Sequence, residues 1–224
     1  MFRQKTGSVV CASCGSLVGV NDDRCYSCGR RNPGLWGFGP ILRRFGNDLG
    51  FVSLVVYGCI VIYFASLVLT VLTGGNILGG SIFSILGPSS YAAVLLGASG
   101  GQVVFLYDRW WTVLTAGWLH GGLMHIFFNV IGIRQLGPAI ADLYGAGRMV
   151  IIYTVAGVAG FALSSVMGLL PIPFFGATLT VGASASIFGF VGALMHYGRR
   201  TGSSQARQVT DDYRQQMQLL KPAN

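Results

Sequence analysis

The sequence predicts an all-α polytopic membrane protein: a bundle of four transmembrane helices with a small cysteine-bearing head before it. Three observations predict this. The 224 residues are 52% hydrophobic and only 10% charged, a balance that belongs to membrane bundles rather than soluble domains. Apolar runs long enough to cross roughly 30 Å of hydrocarbon recur along the chain. The polar residues gather before the first run and after the last. The net charge of +8 does not point to nucleic acid, because the basic residues flank apolar spans instead of forming a basic domain. The first fifty residues are polar and hold no early apolar core, so no signal peptide is expected.

Residues 1–32 form the predicted head. Cys11-Ala-Ser-Cys14-Gly15 and Cys25-Tyr-Ser-Cys28-Gly29 are two Cys-x2-Cys pairs, each followed by glycine. Their spacing looks like the knuckles of a zinc ribbon. Tetrahedral zinc is held by four thiolates, and two short turns present them in pairs. Glycine after the second cysteine permits the positive φ that such a turn uses. Two disulfides or a redox Cys-x2-Cys are the alternatives, and a reducing cytoplasm disfavours them. A structural zinc ion on Cys11, Cys14, Cys25 and Cys28 is therefore expected, on a head that docks a cytoplasmic partner or has a regulatory role rather than doing chemistry. Cys59 lies inside an apolar run and reads as a small buried residue. Residues 33–48 read as a Pro/Gly linker ending in a basic collar at Arg43-Arg44.

Residues 49–198 carry the predicted spans, at about 49–72, 115–136, 149–169 and 181–197. Residues 73–109 form a long loop, too apolar to be free in water, and are expected to lie in the membrane interface. A short polar turn from Gly137 to Gly147 contains Pro138 and Asp142. Pro171 and Pro173 end the third span. The fourth span is short and rich in small residues, which suits a crowded central helix. Residues 199–224 form a polar tail. Fourteen of the fifteen basic residues, all but Arg109, fall on one side in this arrangement. Both termini are thus expected in the cytoplasm, with the long loop and the start of the fourth span facing outward.

The second span opens with Trp110 to Asn129, an apolar stretch holding His120, His125 and Asn129. His125 and Asn129 are four apart and share a helix face. Polar groups in hydrocarbon need partners, and mutual hydrogen bonding is the plain reading. Further on stands Gly182-Ala183-Ser184-Ala185-Ser186 at the head of an apolar helix. His-x4-His-x3-Asn followed by Gly-x-Ser resembles the rhomboid family of intramembrane serine proteases, over about Leu49 to His196. The resemblance implies cleavage of transmembrane protein substrates in the bilayer, in a bacterial inner membrane, with Ser184 as nucleophile. It also implies that His125 and Asn129 stabilise the oxyanion and that Phe188 stands where an aromatic packs against the base. The family's Trp-Arg motif is only partly present, since Thr112 stands where the arginine is expected after Trp110-Trp111. Gly97-Ala98-Ser99-Gly100 imitates a nucleophile motif but precedes the histidines and opens no long apolar run.

The family's base is a histidine on a later span, in an Ala-His-x2-Gly setting that this sequence lacks. His196 lies twelve residues past Ser184, roughly 18 Å along a helix, out of reach. His120, five residues before His125, points about 140° away if both lie on one helix. The expectation is a rhomboid-like chain that does not cleave by itself, whether truncated, an inactive relative that binds membrane helices, or half of a site. A metal-binding membrane protein of other function is the remaining alternative.

Overall fold

The computed structural model describes residues 3–43, 46–78, 85–170, 178–201 and 211. The predicted break at Pro171 and Pro173, Arg44 of the collar and nearly all of the tail beyond 201 lie outside the described residues. The head is an antiparallel hairpin, β1 (Ser8–Val10) and β2 (Leu17–Gly19), with Val9 opposite Val18. Val9, Val18 and Val20 close over Cys11 and Cys25 in a small core of their own. A single 3-10 turn at Leu35–Gly37 and the short α1 (Gly39–Arg43) lead to the bundle.

The first membrane helix is α2 (Phe51–Leu72). Two residues before its N-cap Gly50, the buried carboxylate of Asp48 accepts from the Val52 amide of the first turn at 2.7 Å. Val52, Val55, Val56, Cys59, Tyr63 and Leu67 recur every three or four residues and are buried, whereas Leu54, Tyr57, Val61, Phe64 and Val68 are exposed. That exposed apolar face suits lipid contact, because hydrocarbon solvates it as well as protein does. The long loop is not shapeless. It contains α3 (Ser90–Leu96), capped by Ser89 through the Ala92 amide, and α4 (Gly101–Phe105).

The second long helix, α6 (Leu123–Tyr144), follows α5 (Thr112–Thr115) and a 3-10 turn at Ala116–Trp118. Both of its predicted ends need correction. It begins at Leu123 rather than near Thr115, because Leu119 is extended and Gly121-Gly122 interrupt the helical path. It also continues through Pro138 to Tyr144, where a polar turn was expected from Gly137. Proline removes one backbone bond at about 3 kcal/mol. Leu136, Ile140 and Ala141, all buried in the main core, offset that loss. The actual break is Gly145, whose φ of +83° lets the chain reverse within one residue.

From Gly145 the chain enters α7 (Ala146–Met167), and after residues outside the description it forms α8 (Ser184–Thr201). Among the described residues three helices, α2, α6 and α7, are long and apolar enough to cross a membrane. The expected fourth span corresponds to α8, which is 18 residues long and ends in Arg199 and Arg200. It is therefore shorter in apolar length than the others, yet Ile187, Phe190 and Leu194 are buried in the shared core. Its seat on α7 is made of small residues. A Cβ built on Gly157 would stand 2.6 Å from Ser186 Oγ, one on Gly160 would stand 2.6 Å from Ala185 Cβ, and one on Gly189 would overlap Ala156 Cβ. Backbones this close need glycine at the crossing.

Candidate active site and metal centre

One end of the bundle gathers the start of α6, the start of α8 and the loop after α5. Gly182 donates its backbone N–H to Ala116 O at 2.9 Å and has φ of +112°. A Cβ there would lie 2.5 Å from His125 Nε2, so only glycine lets the imidazole sit against this loop. His125 thus packs against the residue two before Ser184, which is exposed at the first position of α8. The imidazole has a defined tautomer. Gly121 N–H donates to His125 Nδ1 at 3.3 Å, so in the neutral ring the proton resides on Nε2. The nitrogen that faces Gly182 is therefore a donor, not an acceptor.

Asn129 lies one turn below and is buried. Its side-chain N–H donates to His125 O at 2.8 Å, and its Oδ1 has no partner among the described residues. One amide hydrogen remains to be given to a ligand. The neighbouring Ser186 and the Gly-x-Ser-Gly serine, Ser99, are buried. Ser186 is buried against Gly157 of α7. Ser99 is 0% exposed, its Oγ is 3.1 Å from that of Ser165, and its backbone pairs with Thr180 on both sides. Phe188, one turn past Ser184, is 55% exposed, and His196 is exposed far along α8.

His120 departs from the expected geometry. It is not on α6 but in the extended segment before it, and its ring lies edge-on to His125 at 5.2 Å. The rotation of 140° applies only along a helix, and Gly121-Gly122 end that continuity. His120 is 1% exposed and both ring nitrogens lack a partner among the described residues.

A second residue escaped the motif reading. Arg109 supplies the loop anchor that Thr112 cannot. Its Nη1 donates to Val94 O at 2.8 Å, and its guanidinium stacks on Trp111 at 4.7 Å from the ring centre. Thr112 instead returns its hydroxyl to Arg109 O at 2.7 Å. A basic residue directly before two tryptophans was the available signal. An exact Trp-Arg spacing hid it.

At the opposite end stands the cysteine cluster. The four Sγ atoms lie within 4.8 Å of one another. Cys11 Sγ is 3.8 Å from Cys28 Sγ, and Cys14 Sγ is 3.5 Å from Cys25 Sγ. A tetrahedron with metal–sulfur bonds of about 2.3 Å has sulfur–sulfur edges of about 3.8 Å, so the donor set fits one metal ion. The two knuckles repeat the same turn. Gly15 N–H returns to Cys11 O at 3.1 Å and Gly29 N–H to Cys25 O at 2.8 Å. Both glycines have positive φ, +78° and +71°, as the pattern after each second cysteine implies. Burial pushes the Cys11 thiol up to about 11. The hydrogen bond with the Ser16 hydroxyl draws Cys14 down to about 6.

Part of the chain is similar to known proteins. Residues 107–211 match the Rhomboid domain family. The chain is 38% identical over 103 residues to Rhomboid protease GluP of Bacillus subtilis (strain 168), covering 46% of this chain and 18% of that protein. It is 30% identical over 111 residues to RHOMBOID-like protein 4 of Arabidopsis thaliana, covering 50% of this chain and 26% of that one. It is also 29% identical over 111 residues to Inactive RHOMBOID-like protein 8 of the same plant, covering 50% and 30%. The chain thus spans less than a third of the length of these three relatives. The matched region contains α6, α7 and α8 with His125, Asn129 and Ser184, so the part of the chain that carries the candidate site is the part that resembles a Rhomboid domain.

Proposed function

We propose that the site is that of an intramembrane serine endopeptidase acting on transmembrane protein substrates. Ser184 is the nucleophile, and His125 Nε2–H with the Asn129 amide donates to the oxyanion. One observation carries this reading: Nε2 of His125, the protonated nitrogen, lies against Gly182, two residues before the exposed Ser184. Donors fixed beside the developing charge are worth about 10²–10³-fold each in acyl transfer. Among the serines of the two Gly-x-Ser stretches, Ser184 is exposed whereas Ser186 and Ser99 are buried.

A base is not offered by the described residues. His125 Nε2 holds its proton, and His196 is roughly 18 Å along α8. A second reading, an inactive relative that binds membrane helices, draws on this and on the similarity to a relative named as inactive. In both readings the domain order is head 1–32, linker 33–48, membrane domain 49–198 and tail 199–224. The head binds zinc, the head and the Arg199-Arg200 end of α8 face the cytoplasm, and the bilayer is a bacterial inner membrane. The paired knuckles and the gathering of basic residues at one end of the bundle support these assignments.

Cleavage of a model transmembrane substrate in proteoliposomes tests the reading. The chain as given is inactive, and the chain extended by a fifth and sixth helix bearing a histidine is active. In the extended protein Ser184→Ala abolishes cleavage, Ser99→Ala leaves it, and His125→Ala or Asn129→Ala lowers it without moving the cut. Activity lost with Ser99→Ala but kept with Ser184→Ala refutes the assignment. An extended chain that binds the substrate helix without cutting it favours the second reading.

A further inference from the structure

We propose that the α6–α7 junction is the docking surface for the head, and that the metal-loaded four-cysteine cluster is a clamp holding that junction. The head reaches the bundle through both knuckles. The Cys11–Gly15 knuckle presses its backbone on Gly145, where an added Cβ would lie 2.8 Å from Ser13 O and 3.5 Å from its carbonyl carbon. Any side chain there meets backbone, which cannot swing aside. The Cys25–Cys28 knuckle reaches the next turn, where a Cβ on Gly147 would lie 3.4 Å from Arg30 Nη1. A polar cleft of about 430 Å³ separates cluster and junction, lined by Ser13, Cys14, Cys28, Asp142 and Arg148. The linker is tied to the same place, because Asn47 Nδ2 donates to Asp142 Oδ1 at 2.8 Å.

The two knuckles carry the two halves of the docking surface, and the cysteine cluster ties them directly behind it. The four Sγ atoms lie within 4.8 Å of one another, and one metal ion bonded to all four ties the two knuckles rigidly together. Metal loading therefore fixes the relative position of Ser13 and Arg30, and with it the fit to Gly145 and Gly147. The junction joins α6, which bears His125 and Asn129, to α7, on which α8 is seated. The occupant of this surface is the chain's own head. The inference rests on the cluster being a metal site and not on the proteolytic reading.

The test is hydrogen exchange on the full chain in detergent micelles, loaded with Zn²⁺ or Co²⁺ or stripped by chelator, with metal content measured on the same samples. Loading slows exchange of the amides of residues 141–148 at least tenfold. Gly147→Trp, which touches no thiol, keeps one metal per chain but exchanges at 141–148 like the stripped protein. Stoichiometric metal that protects only the head, with 141–148 unchanged, overturns the clamp. So does Gly147→Trp protected like the unaltered chain. A chain that takes up neither metal overturns the metal site itself, which the metal content reports separately. If Gly147→Trp does not fold, the loaded-against-stripped comparison of the unaltered chain still decides.

Discussion

Replacing Gly160 by alanine should force α7 and α8 apart. The added Cβ would stand 2.6 Å from Ala185 Cβ, and two carbon atoms rest at about 3.5–4.0 Å. Both atoms are bonded directly to backbone, so neither can rotate away, and the helices must separate locally by about 1 Å. Overpacking of this kind costs about 1–3 kcal/mol. Alanine also gains about 1 kcal/mol of helix propensity over glycine, which would mask part of the loss. Gly192→Ala is the matched control, because it lies on exposed α8 surface with nothing within 4 Å of its built Cβ. It carries the propensity gain without the clash. The two variants should therefore differ by about 1–3 kcal/mol in unfolding titrations in mixed dodecylmaltoside and sodium dodecyl sulfate micelles. A difference within about 0.5 kcal/mol, the usual scatter of distant surface changes, would refute the close-packed crossing. In an extended, active chain the same 1 Å shift at the seat of Ser184 should lower cleavage about 10²-fold.

Metal uptake by the head should strengthen as pH rises, because thiolates are the ligands and protons must leave. With Cys11 held up to about 11 and Cys14 down to about 6, loading near neutral pH releases protons. The dependence steepens below about pH 6, where Cys14 is protonated too. Chelator competition across pH 5.5–8.5 measures this, and a flat affinity would refute thiolate ligation. Arg109→Ala should loosen the loop between α2 and α5 by about 1–2 kcal/mol, losing a charged hydrogen bond and a cation–π contact. Faster limited proteolysis between Ser90 and Trp111 would report it, and unchanged cutting would count against the anchor. Single-cysteine probes should label from outside the cell at Ser90 and not at Asp23, and the reverse pattern would invert the topology.

The composition and the period of three to four in Val52, Val55, Val56 and Cys59 made the membrane helices legible, because burial and lipid exposure act on each helix face separately. The cysteine spacing made the metal set legible for a related reason: each knuckle is a local turn, closed by its own backbone bond and its own glycine. His125, Asn129 and Ser184 were legible as a pattern. The packing of His125 against Gly182, two residues before Ser184, was not, since it depends on Gly182 admitting the imidazole across two elements far apart in sequence. Helix ends went astray where local rules met tertiary packing. Pro138 is a breaker by itself, but the burial of Leu136 and Ile140 carries α6 past it to Gly145. His120 was misplaced because two consecutive glycines redirect the chain, and no periodicity reports that. Arg109 stands three residues from the expected arginine, and the fold still brings it onto Trp111. What the sequence by itself determined is residue chemistry and local geometry. Only the tertiary structure decided that the head rests on Gly145 and Gly147, because a contact made at glycine, on backbone at Gly145 and by the tip of Arg30 at Gly147, leaves no side-chain pattern to read.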